Sequence, residues 1–322
     1  MNTTGVCCIE FGRLEEQTVL MVRSLRKFGG SYANIPMIAV IGRQGAPLRS
    51  KTINELNQLD VRIVVADGTA NPAPWLNYGN KAAAVITAER LALTDYITWF
   101  DSDILVVSQP NILPPSDANL ALALIETPPL VTPDDFTHLP YWRKVCDLFN
   151  VSFDGLPWVR WNTIEMKPNF NSGLFSWFRN SGFAEAYVNA FTTLLDSRLA
   201  QWNGEWFTVD QIILTPLSAK FSWVPISPQD HAFCPTDLIA AGVAPDLSGV
   251  NVIHYSTALT GPLKNEFRNR LTTASPEAAG WLEDQRIYLG KPSAFQKFVA
   301  KALRLLRGLR YRLYNVKTRK IK

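Results

Sequence analysis

Short apolar runs alternate with helix-like segments over the first hundred residues of the chain. Residues 14–28 show the helical pattern best: apolar residues recur at spacings of three and four, Glu15 and Glu16 lie in the first turn, and two glycines follow. Strands separated by helices in this way predict an α/β fold with a mostly parallel, Rossmann-like sheet and right-handed crossovers. The predicted strands are 5–11, 36–41, 61–66 and 96–100, and the predicted helices are 14–28, 53–59 and 81–93.

Two acidic residues, Asp101 and Asp103, stand between the fourth apolar run and a further apolar run at 104–107. In open α/β sheets ligands bind outside the carboxyl ends of the strands, which is where this pair falls. A buried carboxylate is costly unless it is paired or holds a metal, and carboxylate oxygens suit hard divalent cations. The motif predicts a Mn²⁺ or Mg²⁺ site that holds a diphosphate, with a solvated surface loop as the alternative.

Chain length, hydrophobic content and two missing motifs limit which kinds of α/β protein this can be. A length of 322 residues, 47% of them hydrophobic, gives room for one large α/β domain or two smaller ones. No Gly-x-Gly-x-x-Gly follows the first strand and no Gly-Lys-Ser or Gly-Lys-Thr loop occurs, so neither a dinucleotide fold nor a P-loop is supported.

The cysteines and the absence of export signals indicate a cytoplasmic protein. Cys7 and Cys8 are adjacent while Cys146 and Cys234 are isolated, a pattern that fits neither a disulfide framework nor a zinc site. No stretch approaches the roughly 20 apolar residues that a membrane span needs, and no secretory signal opens the chain. We expect a protein of the reducing cytoplasm, peripheral at most to the inner face of the membrane.

The segment 291–322 differs from the rest in charge. It holds 11 of the 32 Lys and Arg residues and no Asp or Glu, so the other 21 basic residues face 28 acidic ones in the rest of the chain. Apolar residues between Phe295 and Leu313 recur at helical spacing, which predicts a basic amphipathic helix that lies on an anionic membrane surface through residues 295–322. The alternative is a helix docked on the acidic body. Nucleic-acid binding is disfavoured because no aromatic-interleaved basic fold accompanies the helix.

The segment 126–170 is rich in proline and contains Trp142, Trp158 and Trp161. A long irregular insertion in a compact domain is usually functional, and aromatic faces pack well against sugar rings. This composition predicts a functional loop whose aromatic side chains pack against a sugar ring or an apolar chain of a ligand. Tryptophans that merely anchor the loop to the body are the alternative.

Five local patterns, in this order and spacing, carry a resemblance to a known family. They are Asn80-Lys81 before the acidic strand, Asp101-Ser102-Asp103, Asn171-Ser172-Gly173 within 169–174, Asp210-Gln211 at the head of an apolar segment, and His254 followed by Gly261 and Lys264. Over residues 5–265 the chain resembles the nucleotide-sugar glycosyltransferases of the GT-A fold. It is most similar to the retaining family-eight type, which includes glycogenin and the bacterial lipopolysaccharide galactosyl- and glucosyltransferases.

The resemblance implies a domain plan and a metal centre. Residues 1–290 would form the GT-A catalytic domain, with a nucleotide-sugar-binding half at 1–125 and an acceptor-side half at 126–290, followed by the basic tail at 291–322. His254 would join Asp101 and Asp103 as the third metal ligand, and imidazole suits Mn²⁺ better than Mg²⁺. The alternative for His254 is a satisfied core histidine.

The resemblance also implies a donor site. Lys81, Asp101, Ser102, Gly261 and Lys264 would bind the nucleotide sugar. A cation such as Lys81 at a helix start is disfavoured by the helix dipole, which hints at a negatively charged ligand, although a plain surface charge is possible.

Two further motifs would face the sugar. Asn171, Ser172 and Gly173 offer an amide, a hydroxyl and a bare backbone suited to a hydroxyl-rich ring, against the alternative of a turn before a strand. Asp210 and Gln211 would line the far side of the anomeric carbon and act in catalysis, although an Asp at a helix start also caps the helix.

The sequence therefore predicts an enzyme that moves a sugar from a nucleoside-diphosphate sugar, a UDP-sugar by resemblance, to a hydroxyl of a glycan or lipid-linked glycan. Family resemblance implies retention of configuration. Two rivals remain. One is a catalytically silent sugar- or lipid-binding relative. The other is a haloacid dehalogenase-type phosphatase, whose Asp-x-Asp normally lies on the first strand with Thr or Val where this chain has Leu105.

Overall fold

A seven-stranded sheet forms the centre of the protein. The computed structural model describes residues 2–199, 201–202, 205–206, 208–259, 261–285 and 289–319; the last three residues of the predicted basic tail, 320–322, lie outside the described residues. The strands are β1 (Thr3–Cys8), β2 (Met37–Ile41), β3 (Val61–Val65), β4 (Tyr96–Phe100), β5 (Ile104–Val106), β6 (Leu120–Leu124), β7 (Val159–Trp161), β8 (Ile164–Met166), β9 (Phe170–Phe178), β10 (Gln201–Trp202), β11 (Glu205–Trp206), β12 (Trp223–Ile226), β13 (Ala232–Phe233) and β14 (Val252–His254). The helices are α1 (Arg13–Phe28), α2 (Ser50–Gln58), α3 (Gly79–Leu91), α4 (Leu139–Asp147), α5 (Phe183–Ser197), α6 (Val209–Ile212), α7 (Leu214–Ser218), α8 (Thr236–Ala240), α9 (Lys264–Ala274), α10 (Pro276–Asp284) and α11 (Ala294–Arg319).

The order of the central sheet is β12-β6-β9-β4-β1-β2-β3. Neighbouring strands are parallel except at β9, which is antiparallel to both β4 and β6. The prediction of an α/β fold with a mostly parallel sheet flanked by helices is confirmed. The predicted first strand, 5–11, extends three residues past the observed end of β1 at Cys8. The chain leaves the sheet there, and Gly12 takes a φ of 115° as α1 begins.

Strand β9 carries the irregularity that matters most for the site. Its pairing with β6 jumps from Leu122 opposite Phe175 to Ala123 opposite Asn171, so residues 172–174 are extra on the β9 side. Because β9 runs antiparallel to β4, this bulge lies beside the end of β4, where Phe100 pairs with Leu174. Bulges re-aim side chains and are common next to active sites.

Two apolar layers cover the central sheet. On one face α3 packs between the sheet and α5; its first ten residues are all buried, and its run of alanines permits this close approach. On the other face α1 and α2 pack through residues such as Met21 and Leu56. A second sheet, β13-β14-β5, forms a third cluster with α9 and α10. The two sheets meet at the chain segment between β4 and β5.

The segment 126–170 is more ordered than its composition predicted. It contains α4 and the hairpin β7–β8, so the prediction of a long irregular insertion is wrong in this respect. Trp142 is buried, donates a hydrogen bond to the Pro129 carbonyl (2.7 Å) and stacks on Phe153. Trp161 is also buried, whereas Trp158 is 39% exposed. Buried aromatic side chains here supply the apolar contacts that a short helix and hairpin need.

The predicted C-terminal amphipathic helix is present as α11. Its inner face docks on the body: Tyr311 and Tyr314 pack against Trp75, and Arg307 donates to the Gln44 carbonyl (2.8 Å). Its outer face leaves six large apolar side chains exposed, namely Phe295, Phe298, Leu305, Leu306, Leu309 and Leu313. Among the helices of the described chain, none combines the length and apolarity needed to cross a bilayer.

Candidate active site

Three potential metal ligands meet where the two sheets join. Asp101 and Asp103 follow β4, and His254 ends β14, which pairs antiparallel with β5 so that His254 lies opposite Ile104. His254 Nε2 is 3.3 Å from Asp103 Oδ1 and 3.9 Å from Asp101 Oδ2. One ligand atom from each of the three residues lies within 4.8 Å of the others. The spacing and the mixed oxygen and imidazole set fit a divalent transition metal.

Asn171 fixes the orientation of the His254 ring. Its Oδ1 accepts a hydrogen bond from the Gly173 backbone N–H (2.8 Å), which identifies that amide atom as the oxygen. The same oxygen lies 3.0 Å from His254 Nδ1, so Nδ1 must carry the proton and donate. Nε2 then faces the two carboxylates with its lone pair whenever the ring is neutral. Metal-bound histidines are oriented by such a partner in most sites.

The charges within this triad are strongly coupled. Burial lowers the pKa of His254, but the Asp103 carboxylate outweighs that effect and raises the pKa above its usual value. Burial likewise acts to raise the pKa of Asp103, and the His254 imidazole reverses it, so this pKa is lowered. Burial raises the pKa of Asp101; Lys81 opposes the rise, but Asp103 adds repulsion. The two carboxylates of the triad therefore carry more negative charge than a protonated His254 alone can balance.

Lys81 sits in a second cluster directly beside the triad. Its Nζ is 3.0 Å from Asp101 Oδ1 and 2.8 Å from Asp210 Oδ2. It also donates to the Ser172 carbonyl (2.8 Å) and lies 2.9 Å from the Ser172 hydroxyl. The lysine is buried. Burial alone would lower its pKa, but Asp101 and Asp210 outweigh burial and raise it, so Lys81 stays charged. The alternative of a plain surface charge does not hold.

Asp210 faces the cavity and does not cap its own helix. It is the second residue of α6, which has Thr208 at the N-cap, and its Oδ2 accepts from Lys81 and from the Ser172 hydroxyl (2.7 Å). Its Oδ1 is buried and has no hydrogen-bond partner. Buried polar atoms are nearly always satisfied, so this oxygen is suited to a ligand group.

Five of the twelve predicted site residues line one cavity of about 370 Å³. Because they include residues predicted to bind the donor, it is called the donor cavity below. Ser102 is buried in its wall, and Gln211 is buried next to Asp210 in α6. Ser172 and Gly173 lie in the bulge of β9 and Asn171 directly precedes it, so none of the three lies in a turn before a strand. The lining residues from the predicted set are Lys81, Asp101, Ser102, Asp103 and Asp210.

Two predicted residues lie apart from these clusters. Gly261 donates its N–H to the Thr257 carbonyl (2.7 Å) and packs near Thr236. Lys264 is exposed as the first residue of α9. Neither residue is among those that line the donor cavity in the described chain. Their binding roles remain predictions.

Several residues of the site were not singled out from the sequence. Trp99 donates its indole N–H to Asp101 Oδ1 (2.8 Å). Glu10 and Arg43, which follow β1 and β2, form a two-pronged ion pair with both distances 2.8 Å. Glu10 lines the donor cavity and also a neighbouring cavity of about 410 Å³, which α11 helps to enclose. Their place just past the first two strands was the available signal, since that edge of the sheet binds ligands.

His231 was also missed. It is buried behind the triad, with its ring centroid 5.6 Å from that of His254 in an edge-on contact. Burial, reinforced by His254, lowers the pKa of His231 to about 3, so the ring is neutral at pH 7.

Family comparison decides the class of protein. The family model described as Rhodobacterales glycosyltransferase domain matches residues 5–221, which is more than half of the chain. The chain belongs to this glycosyltransferase family. The predicted enzyme class is thereby confirmed, and the rival phosphatase and the catalytically silent adaptor are not supported. No curated protein sequence matches the chain.

Solved structures place the fold of this glycosyltransferase among the GT-A enzymes. A structure of galactosyltransferase LgtC in complex with donor and acceptor sugar analogues has a TM-score of 0.50 at 13% identity, covering 86% of this chain and 95% of that one. An active-site mutant of LgtC gives 0.50 at 12% identity, covering 84% and 95%. Mouse xyloside xylosyltransferase 1 in its apo form gives 0.48 at 11% identity, covering 81% and 99%. The resemblance to GT-A glycosyltransferases is confirmed at the level of the fold.

Gly173→Ala should weaken Mn²⁺ binding by the triad without unfolding the protein. A methyl group at Gly173 would overlap the His254 ring and Asn171 Oδ1, so the imidazole must move away from the carboxylates. Calorimetric titration with Mn²⁺ should show the loss as an affinity at least about tenfold lower, since outer-shell changes cost 10- to 100-fold. Gly280→Ala, where the added methyl meets nothing within 4 Å, is the matched control. Equal Mn²⁺ affinity in both variants would contradict the geometry of the triad.

His231 should make the protein acid-sensitive. An unfolded histidine binds a proton below about pH 6.5, whereas folded His231 stays neutral until about pH 3. The unfolded state binds more protons in this window, so the free energy of unfolding falls as the pH is lowered through it. His231→Gln removes this titration, and its loss of stability between pH 7 and pH 5 should be smaller than that of the wild type, by up to about 2 kcal/mol. Urea unfolding of both proteins at pH 7 and pH 5 measures this difference. If the wild type and His231→Gln lose the same free energy of unfolding between these pH values, the assignment is refuted.

Proposed function

We propose that this glycosyltransferase takes a sugar from a UDP-sugar in a reaction that needs Mn²⁺ or Mg²⁺, and transfers it with retention to a hydroxyl of a glycan or lipid-linked glycan. One observation carries the proposal: Asp101, Asp103 and His254 converge within 4.8 Å, and both aspartates line the cavity that Lys81 and Asp210 also line. This constellation combines a cation site, a buried ammonium and a buried carboxylate.

The cation site and Lys81 would together offset the negative charge of the donor diphosphate. Asp101, Asp103 and His254 would hold the metal, which when bound supplies a Lewis acid for the departing nucleotide. Ser102 would support the same region of the donor, together with Gly261 and Lys264 if their segment closes over the cavity. Positive charge held in place next to a group that becomes negative is usually the largest single contribution to lowering the barrier of such a transfer.

Asp210 and Gln211 would face the anomeric carbon. The unpartnered Oδ1 of Asp210 is available to stabilise the positive charge that grows there, while its Oδ2 stays bound to Lys81 and Ser172. Asn171, Ser172 and Gly173 would position the sugar hydroxyls. In the retaining route proposed here, the acceptor hydroxyl attacks from the face that the nucleotide leaves, and the departing phosphate oxygen accepts its proton.

The outer face of α11 would rest on an anionic membrane, placing the enzyme peripherally at the inner face and in the cytoplasm. The exposed apolar side chains provide the insertion surface, and exposed cations such as Lys301, Arg310 and Arg312 flank them. The inner face of α11 also contributes Arg304 and Arg307 to the cavity that adjoins the donor cavity. Such a helix would bring a lipid-linked acceptor close to the donor.

Donor and metal binding should raise the melting temperature together. Addition of Mn²⁺ with UDP at about 100 times its Kd stabilises by about 2.7 kcal/mol, or a few degrees for a chain of this size. Asp103→Asn should lose this shift and the metal-dependent turnover of the UDP-sugar, because a carboxylate ligand becomes a neutral amide. Asp117→Asn, the same change at an exposed position, is the control.

These measurements test the metal assignment and the nucleotide assignment separately. A UDP-induced shift that is equally large in wild type and Asp103→Asn would rule out the metal assignment, and a shift with GDP- or dTDP-sugars alone would rule out the UDP assignment. The anomeric proton coupling of the product, read by NMR, tests retention.

Membrane binding should depend on the outer face of α11. Lys301→Glu combined with Arg312→Glu should reduce co-sedimentation with phosphatidylglycerol vesicles by tenfold or more, since each cation near the surface contributes about 1 kcal/mol. Neutral phosphatidylcholine vesicles should bind both forms weakly. Arg62→Glu combined with Lys144→Glu makes the same charge change at exposed positions outside α11. If both double variants lose co-sedimentation with the anionic vesicles to the same extent, the overall charge of the protein, and not α11, governs membrane binding.

A further inference from the structure

We infer that a second cavity, distinct from the donor cavity, binds an uncharged sugar ring of the acceptor, with His231 as its buried hydrogen-bonding group. This His231 cavity measures about 450 Å³. It lies between the segment after β6, the turn of the β7–β8 hairpin, and the chain on either side of β13. The residues used in the argument are Glu126, Trp161, Asn162, His231, Phe233 and Asp246, all of which line it. The inference rests on the proposed function only in naming the ligand as an acceptor.

The state of His231 is the observation that points to a ligand. Its side chain is 3% exposed, lines the cavity, and neither Nδ1 nor Nε2 has a hydrogen-bond partner. A buried polar atom without a partner costs about 1–3 kcal/mol, and here two nitrogens of one ring lack partners. A neutral imidazole has one donor and one acceptor, which matches the two capacities of a hydroxyl group.

The rest of the lining fits a sugar. Trp161 and Phe233 offer apolar ring surface, against which the C–H faces of a pyranose pack. Asn162 at the hairpin turn donates to Glu126 Oε1 (2.6 Å), which fixes an amide and a carboxylate at the rim. Pockets of this kind, mostly apolar with a few placed polar groups, are typical of small-ligand sites.

The charge of the cavity selects among sugars. Glu126 and Asp246 are its only charged side chains among the lining residues of the described chain, which include no Lys or Arg. A sugar that carries a carboxylate, sulfate or phosphate would meet two carboxylates without a compensating cation. The chemistry therefore favours neutral hexoses or N-acetylhexosamines and excludes acidic ones.

The location links this cavity to the transfer reaction. The His231 ring contacts that of His254 edge-on, and β13 pairs with β14 in parallel, Phe233 beside His254. His254 belongs to the triad at the donor cavity. A ring bound at His231 is thus separated from the metal site by one imidazole. Because the lining of the His231 cavity, among the residues that the structure describes, has no residue in common with that of the donor cavity, we assign this ring to the acceptor and not to the nucleotide.

The test is saturation-transfer NMR on the full chain with a panel of methyl glycosides. Neutral methyl glucoside, galactoside and N-acetylglucosaminide are compared with methyl glucuronide, in the presence of Mn²⁺ and UDP. At least one neutral glycoside should bind, and the glucuronide should not. His231→Leu should weaken that binding roughly fivefold or more, in line with the loss of a buried hydrogen bond, while His231→Gln, which keeps a donor and an acceptor, should retain most of it.

One further variant tests the charge selectivity of the cavity independently of His231. Glu126 is exposed at the rim, so Glu126→Gln should leave the fold intact. Because this variant removes one carboxylate from the cavity, it should bind methyl glucuronide more strongly than the wild type does. It provides a test even if His231→Leu fails to fold. Unchanged neutral-sugar binding in a folded His231→Leu protein, or glucuronide binding to the wild type, overturns the inference.

Calorimetric UDP binding in the same samples separates the two proposals. If Mn²⁺ and UDP do not bind but the neutral sugars bind and depend on His231, the proposed function fails and the cavity assignment stands. If Mn²⁺ and UDP bind and no glycoside of the panel does, the cavity assignment fails alone.

Discussion

The accumulation of carboxylates at the carboxyl end of β4 is the constraint on which the rest of the site depends. Asp101, Asp103 and Asp210 meet in a largely buried region, and burying unpaired carboxylates is costly. Lys81 bridges Asp101 and Asp210, and His254 faces Asp103. These partners balance part of the negative charge, and a bound divalent cation would balance the rest. The proposed donor site is thus an electrostatic arrangement that a bound cation would complete.

The fold delivers these groups by breaking the regularity of the sheet in one place. Strand β9 runs against its neighbours, so its beginning meets the end of β4, and its bulge sets Ser172 against Lys81 and Asn171 against His254. The bare backbone of Gly173 leaves room for the imidazole. Because the Asp101 N–H also donates to the Gly173 carbonyl (2.8 Å), the acidic motif and the bulge are held together by the backbone.

The sequence predicted the parts with local signals. The first four strands, the first helices and the basic helix were readable from periodicity, and the grouping of Asp101, Asp103 and His254 from motif and family resemblance. The contacts between distant segments had no local signal: the Lys81 bridge joins residues 81, 101 and 210, and the orphaned His231 is visible only when its neighbours are known. The hairpin within 126–170 was missed because its strands are three residues each, too short for a periodic pattern.

The most direct test of the central claim is the anomalous scattering of Mn²⁺ in crystals of the protein soaked with MnCl₂ and UDP. The account predicts one strong anomalous peak bound by oxygens of Asp101 and Asp103 and by Nε2 of His254, with Nδ1 of that ring still bonded to Asn171. A manganese peak elsewhere, or UDP bound in the donor cavity with these three side chains free of metal, would contradict it.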